Sequence, residues 1–469
     1  MILYEATPGK PATLRQAIAY MSAVAVALAG IVWLVLHEAP STGPAAPKSL
    51  PHAMDESPAG PVVLVVSGDT AGWIVPCGCT SNQSGGLLRR GTFVSQQRQA
   101  GPVIVADAGG AADGASPYQR LKFEAIISGE LAMGIAAHNI GESEAMLGIT
   151  YLRDLARERH VPFLSANLRD SGGQNIFEPL RIIESGGLRV ALVGVLTAPK
   201  TRGTARDWRV DDPREAVLTT LAAHRGKFDR AVVLAYLAEN ELRELAAALP
   251  EVDAVIGGPT GQSLAPERIG PAVLASATNK GKFLVSLSLP PTTKVPPAAE
   301  IVEMSTAFAD DPAQLDNVQL FRRALAQRDF DAVETGLAPP GTFAPEMRVA
   351  GTVVCQECHA DASAIWRDSN HSHAWETLVA DEAHVDPMCQ KCHTTGFGLP
   401  GGFQSRSKSA ALVSVGCESC HGPAKAHADT PAKRTPFVAR EQCTRCHDHE
   451  NSPEFEFASY WSQIAHHGD

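Results

Sequence analysis

Cys355-Gln-Glu-Cys358-His359, Cys389-Gln-Lys-Cys392-His393, Cys417-Glu-Ser-Cys420-His421 and Cys443-Thr-Arg-Cys446-His447 punctuate the last quarter of the chain. Each reads Cys-x-x-Cys-His, the signature of covalent c-type haem attachment. In that chemistry the two thiols add to the haem vinyl groups and the adjacent imidazole ligates the iron. Paired Cys-x-x-Cys also builds zinc ribbons. A ribbon has no use for a His directly after the second thiol, yet here it follows every time. The expectation is four c-type haems, attached through these eight cysteines, with His359, His393, His421 and His447 as proximal iron ligands. So few residues per cofactor leave no room for a side-chain core. Residues 346–469 should therefore form a mainly helical and irregular domain whose core is porphyrin.

Histidine is concentrated there as well: eleven of the sixteen lie after residue 350. The excess over the proximal four suits six-coordinate irons. His371, His373, His384, His427, His449, His466 and His467 are unassigned by the motifs.

The same segment resembles the tetrahaem cytochrome c family typified by the electron acceptor of hydroxylamine oxidation. The resemblance rests on Trp366-x-x-Ser369-x-His371 with Ala374, on Cys392-His393-Thr394-Thr395-Gly396, and on Gly416-Cys417 through Pro423 leading to His427. It extends to Tyr460-Trp461-x-x-Ile464 before His466. It implies His371, His427 and His466 as distal iron ligands, with His384 and His373 as weaker candidates. Bis-histidine irons would have no vacant site and would transfer electrons rather than catalyse. In the resembling family one haem can be five-coordinate.

Working back toward the N-terminus, residues 291–345 read as a connector: Pro290-Pro291 and Pro296-Pro297 mark extended chain, and Asp311–Asp329 reads as a helix. Residues 61–290 alternate short apolar runs with helical patterns. The runs are Val62–Val66, Val103–Ala106, Pro162–Ala166, Val190–Val195, Ala231–Ala235 and Ala254–Ile256. The helical stretches are Pro117–Asn139, Ser143–Arg159, Pro213–Arg225 and Glu239–Ala248. Such alternation predicts a layered α/β domain around a central sheet.

The order of short motifs in this domain resembles the 5′-nucleotidase branch of the calcineurin-like metallophosphoesterases. The matching pieces include Ser67-Gly68-Asp69, Gly85-Gly86-Leu87-Leu88-Arg89-Arg90, Asp107-Ala108-Gly109-Gly110, Gly141-Glu142-Ser143-Glu144, Asn167 and Gly257-Gly258. Those enzymes clamp phosphoryl groups with two metal ions held by Asp and His. Here the first motif lacks its His, since Ala71 stands two after Asp69, and the metal-bridging Asp falls at Gly110. The Asn-His pair falls near Glu142-Ser143, the next His near Tyr236, and the last pair at Pro259 and Gly261. Only Asp69 survives, with Glu142 a substitute, so phosphohydrolysis is improbable. Arg89 and Arg90 read either as an anion anchor or as internal ion-pair partners.

Two cysteines remain. Cys77 and Cys79 follow the first strand, at the edge where α/β domains keep their ligand sites. They read either as a soft-metal site for copper(I) or zinc, or a redox pair, or as packing residues of a loop. Residues 37–60 read as a flexible linker. Ala17–Leu36 is an uncharged apolar run long enough to span a bilayer, preceded by Lys10 and Arg15. It predicts a transmembrane anchor with residues 1–16 in the cytoplasm and the body on the periplasmic side; a cleaved signal is the alternative. A net charge of −11 gives no basis for nucleic-acid binding. The expected partners are the membrane, through that helix, and redox proteins or quinol-linked donors. Three functions follow: an electron carrier with a docking or sensing scaffold, a redox enzyme for a small nitrogen or sulfur compound, or a nucleotidase with a cytochrome appendage.

Overall fold

A computed structural model describes residues 60–76, 83–198, 207–432 and 437–466. The expected anchor at 17–36, the linker up to Ala59, and Cys77 and Cys79 lie outside the described residues. Among the described residues no helix is long and apolar enough to cross a membrane. Pro58–Asp469 forms one compact unit.

The strands in chain order are β1 (Val62–Ser67), β2 (Val103–Asp107), β3 (Ala137–Asn139), β4 (Phe163–Leu164), β5 (Leu168–Asp170), β6 (Leu180–Ser185) and β7 (Leu188–Leu196). They continue as β8 (Trp208–Val210), β9 (Arg230–Tyr236), β10 (Ala254–Gly258), β11 (Leu264–Ile269), β12 (Ala272–Ser276), β13 (Phe283–Leu289) and β14 (Ala298–Glu303). Two six-stranded sheets result, ordered β14-β13-β1-β2-β3-β4 and β11-β12-β10-β9-β7-β6. The layered α/β fold is as expected, with two sheets in place of a largely central one. The reason is visible in the strand faces. Val62, Leu64 and Val66 meet Val190, Leu192, Val232 and Leu234 in a core shared by both sheets. Val65 faces the other way, onto the helices, and Ala191, Val193 and Val195 do the same on the second sheet. Strands apolar on both faces are what parallel, doubly covered sheets require.

The helix expected over Pro117–Asn139 ends earlier, at Ala132. It starts as its sequence dictates. Ser116 accepts from the Gln119 amide, Gln119 returns a bond to Ser116, and Pro117 stands at the first position. It stops because Gly134 takes a left-handed conformation, φ +68, freeing Ala137–Asn139 to pair between β2 and β4. Ser143–Arg159 likewise splits, into helices Glu142–Met146 and Ile149–Arg159 around Gly148. The segment read as a connector is part of the α/β body. β14 pairs with β13, and the helix Pro312–Arg328 packs on Pro117–Ala132, with Gln314 Nε2 and Asn317 Nδ2 donating to the Gly129 and Ala125 carbonyls.

The C-terminal segment is built of short helices, the longest being Ala360–Arg367. The helices Thr352–Gln356, Lys425–Asp429, Ala439–Cys443 and Phe457–Trp461 bury no residue. Among the described residues its own apolar cluster is small, centred on Phe397 and Phe403. Side chains alone do not supply this segment with a core.

The segment is tied to the α/β body by directed bonds. Tyr118 Oη donates to Asp386 Oδ1 at 2.6 Å, and that oxygen also caps the helix Pro387–His393 by accepting from Met388 N at 2.9 Å. Lys280 pairs with Glu450 and lies 4.7 Å from the centre of the Trp73 ring. Asp329 accepts from the amides of Arg406 and Ser407. Replacing Asp386 by Ala removes a cap and leaves the buried Tyr118 hydroxyl unpaired. The expected loss is about 2–3 kcal/mol, read as a lower thermal unfolding midpoint; an unchanged midpoint would show the bond to be dispensable.

Candidate functional site

Each Cys-x-x-Cys-His pentapeptide lies on a helical turn. His359 N bonds Cys355 O at 3.0 Å and His447 N bonds Cys443 O at 2.9 Å. The second and third motifs lie in the helices Pro387–His393 and Cys417–His421. Residues three apart on a helix share a face, so both thiols of a motif face one side, with the imidazole following.

The motifs are locked together by one buried carboxylate. Glu418, in the third motif, accepts from Ala350 N, Gly351 N and Ala424 N at 2.7–2.8 Å. Gly351 is the N-cap of the helix that carries Cys355, so Glu418 fixes the first motif against the third. Thiols of different motifs also meet, Cys355 with Cys417 and Cys392 with Cys446.

Three of the four proximal imidazoles each have a second imidazole beside them. Ring centroids are 6.0 Å apart for His359 and His427, 6.1 Å for His371 and His447, and 5.8 Å for His421 and His466. Two imidazoles bound to opposite sides of one metal at ~2 Å per bond would have centroids about 6 Å apart. The spacing fits an iron between each pair. Burial, chiefly, lowers the pKa of His371, His421 and His447, favouring the neutral ligating form. His393 Nδ1 is bonded to the Ala374 carbonyl at 2.7 Å, which leaves its Nε2 for a metal. Among the described residues no ring pair of this kind is found for His393. His373 bonds Glu376 at 3.1 Å, and His384 meets the Trp375 ring at 6.0 Å. Neither of these two stands beside a proximal imidazole, and His467 lies outside the described residues.

A cavity of about 940 Å³ opens onto Cys389, Cys392, His393, Cys443, Cys446 and His447. Its remaining wall includes residues of the α/β body, among them Trp73, Ile74, Tyr118, Lys122 and Phe321. Motif cysteines, imidazoles and an apolar hollow are together the donor set and the space that a c-type haem needs.

The other candidate centre, at the strand ends of the first sheet, is filled. Asp69 Oδ2 accepts from Thr278 Oγ1 at 2.6 Å, and burial, chiefly, raises its pKa. Glu142, the expected substitute ligand, is only half-buried. The buried carboxylate is Glu144, which sequence reasoning did not single out. It accepts from the amides of Gly110, Ala111, Ala112 and Gly141 at 2.5–3.2 Å. Tyr236 occupies the space between: a Cβ on Gly110 would lie 2.7 Å from its Cε2, and one on Gly141 2.8 Å from its ring. Arg90 is buried and donates to Thr70 Oγ1 at 3.0 Å, and Arg89 donates to the Met304 carbonyl. Both serve as internal partners rather than as an anion anchor.

Behind this plug, Asp107, Glu130 and His138 bring ligand atoms within 4.8 Å of one another. Arg90 Nη1, 4.0 Å from Glu130, already supplies a cation there. Burial would lower the His138 pKa, but Glu130, Glu144 and Asp107 around it lift it well above the usual 6.5. Burial pushes the Asp107 carboxyl up from 3.8 to about 7. Both groups hold protons more tightly folded than unfolded. Their contribution is therefore lost as pH rises, for Asp107 between about pH 4 and 7 and for His138 above about pH 6.5. The denaturant midpoint should fall as pH rises above about 6, and His138→Gln should flatten that fall. A midpoint that rises over this interval contradicts the assignment.

Residues 354–422 match the family model for cytochrome c554 and c-prime. Over 148 residues the chain is 30% identical to cytochrome c-554 of Nitrosomonas europaea, an alignment that takes in 24% of this chain and 63% of that protein. The chain thus spans less than two thirds of that relative. Among solved structures, the sulfate thiohydrolase SoxB of Thermus thermophilus aligns with a TM-score of 0.50 at 15% identity, over 59% of this chain and 63% of that one. A 5′-nucleotidase precursor, also from Thermus thermophilus, aligns at 0.49 and 21% identity, over 58% and 60% of the two chains. The calcineurin-like phosphoesterase YfkN of Bacillus subtilis aligns at 0.49 and 16% identity, over 57% and 98%. At such identities the likeness is one of fold. The C-terminal segment resembles cytochrome c554 and the α/β body resembles the 5′-nucleotidase type of phosphoesterase.

Proposed function

We propose that this chain carries electrons outside the cytoplasm through four covalently attached c-type haems, tethered to the membrane by residues 17–36. The observation that carries the proposal is the set of three imidazole pairs at 5.8–6.1 Å, each containing the His of one Cys-x-x-Cys-His motif. In this reading His359 and His427 would hold the first iron, His421 and His466 the third, His447 and His371 the fourth, and His393 would be a ligand to the second. The haems would supply one-electron chemistry; the chain would hold three irons between paired imidazoles and the second through His393, and would set motif against motif for short electron steps. Redox proteins or quinol-linked donors at the membrane surface are the proposed partners. The phosphoesterase-like body serves as scaffold, because Gly110 and Tyr236 take the places of metal ligands.

A second reading, a redox enzyme for a small nitrogen or sulfur compound, is favoured by one observation, the lack of an imidazole partner for His393 among the described residues. Low-temperature electron paramagnetic resonance of the oxidised protein tests the assignment. His371→Ala, His427→Ala and His466→Ala should each convert one low-spin haem to high spin and add one carbon monoxide site after reduction. Variants spectroscopically identical to the parent would show that these imidazoles are not ligands.

A further inference from the structure

The cavity at the second and fourth motifs has an uneven distribution of charge. Its lining holds two basic side chains, Lys122 and Arg322, and both belong to the α/β body. Its two acids, Asp368 and Asp386, belong to the C-terminal segment. Lys122 sits in the helix Pro117–Ala132 and is only 5% exposed. A protonated amine offers three donors; here Asp113 Oδ2 accepts one at 2.7 Å, while the amine also lies 5.3 Å from the centre of the Tyr118 ring. Arg322, in the helix Pro312–Arg328, has Glu382 at 4.0 Å, beyond hydrogen-bond range. Both cations therefore keep donor capacity at the wall of the hollow. Lys122 is already paired with Asp113 and Arg322 is partly exposed; the donors each leaves over are of the kind that the two carboxylates of a haem in this cavity would need.

We infer that the α/β body, with its hydrolytic centre plugged, is the basic half of a haem pocket, in which Lys122 and Arg322 receive the carboxylates of a haem carried by the second or fourth motif. The inference rests on the four-haem reading and gives the phosphoesterase-like body a task beyond scaffolding. A cation at a haem edge favours the reduced form, which has one positive charge fewer. Removing it lowers that haem's reduction potential and leaves distant haems unmoved.

The test is spectroelectrochemical titration of the full haem-loaded chain carrying Lys122→Met, Arg322→Met, or both. One or two of the four reduction steps should shift downward, by roughly tenfold in equilibrium constant for the double variant, which is ~59 mV for a one-electron couple. The others should hold. Arg225→Met, which removes an exposed surface pair with Glu251, should shift nothing. If Lys122 only balances Asp113, adding Asp113→Asn to Lys122→Met should restore the parent potential, and that result would overturn the role of Lys122. Four unchanged potentials in the Arg322 variant would overturn that of Arg322. A haem count on the same samples separates these outcomes from failure of the four-haem reading, because a chain without haems shows no steps to shift.

Discussion

Gly110→Asp, which introduces a carboxylate at the strand ends of the first sheet, is expected to destabilise the protein by about 3 kcal/mol and to produce no hydrolysis. Gly110 adopts φ +86, a conformation that costs a side-chain-bearing residue about 1–2 kcal/mol. Its new Cβ would lie 2.7 Å from Tyr236 Cε2 and 2.9 Å from Asp69 Cα, and overpacking of that kind costs a further ~1–3 kcal/mol. The amide of Gly110 is also bonded to buried Glu144, so the added carboxylate would face an existing one. Thermal unfolding of parent and variant measures the first effect. Turnover of a chromogenic phosphate ester with manganese, zinc or cobalt measures the second. A variant of parental stability that hydrolyses the ester would show that the site is dormant rather than lost.

Glu418→Ala should have a comparable or larger effect, on the other half of the molecule. The carboxylate is 3% exposed and accepts from the backbone amides of Ala350, Gly351 and Ala424. Each donor left unpaired in the interior costs about 1–3 kcal/mol, so the expected loss is ~3–5 kcal/mol after partial relaxation. The damage should fall on two motifs at once, since Glu418 belongs to the third and steadies the helix start of the first. Haem content near Cys355 and Cys417 should drop together, while the second and fourth motifs stay loaded. Peptide mapping of haem-bearing fragments reads this directly; full occupancy of all four motifs would show that Glu418 carries no assembly role.

Much of this architecture was legible in the chain, for physical reasons. The Cys-x-x-Cys-His motifs are local signals, because one helical turn contains the whole attachment geometry. The parallel strands announced themselves as β-branched runs, being buried on both faces. What remained hidden depends on contacts distant in sequence. Glu418 occupies a variable position within its motif and gives no sign that amides 67 and 68 residues away converge on it. Glu144 was passed over for Glu142 because a two-residue difference in a short helix decides which carboxylate turns inward. The second sheet was missed as a separate layer because strands apolar on both faces look alike whether one sheet or two surrounds them. The strand Ala298–Glu303, at a sheet edge and only partly buried, lacks the apolar run that marked the others. His371, His427 and His466 stood out through resemblance rather than spacing. Which proximal imidazole each one faces is visible only in the fold, since nothing local links them.

A reductive titration of the full chain, combined with a pyridine haemochrome assay on the same sample, bears most directly on the central claim. The expected result is four haems and four electrons taken up per chain. Fewer than four haems, or stoichiometric zinc on the motif cysteines in their place, would contradict it.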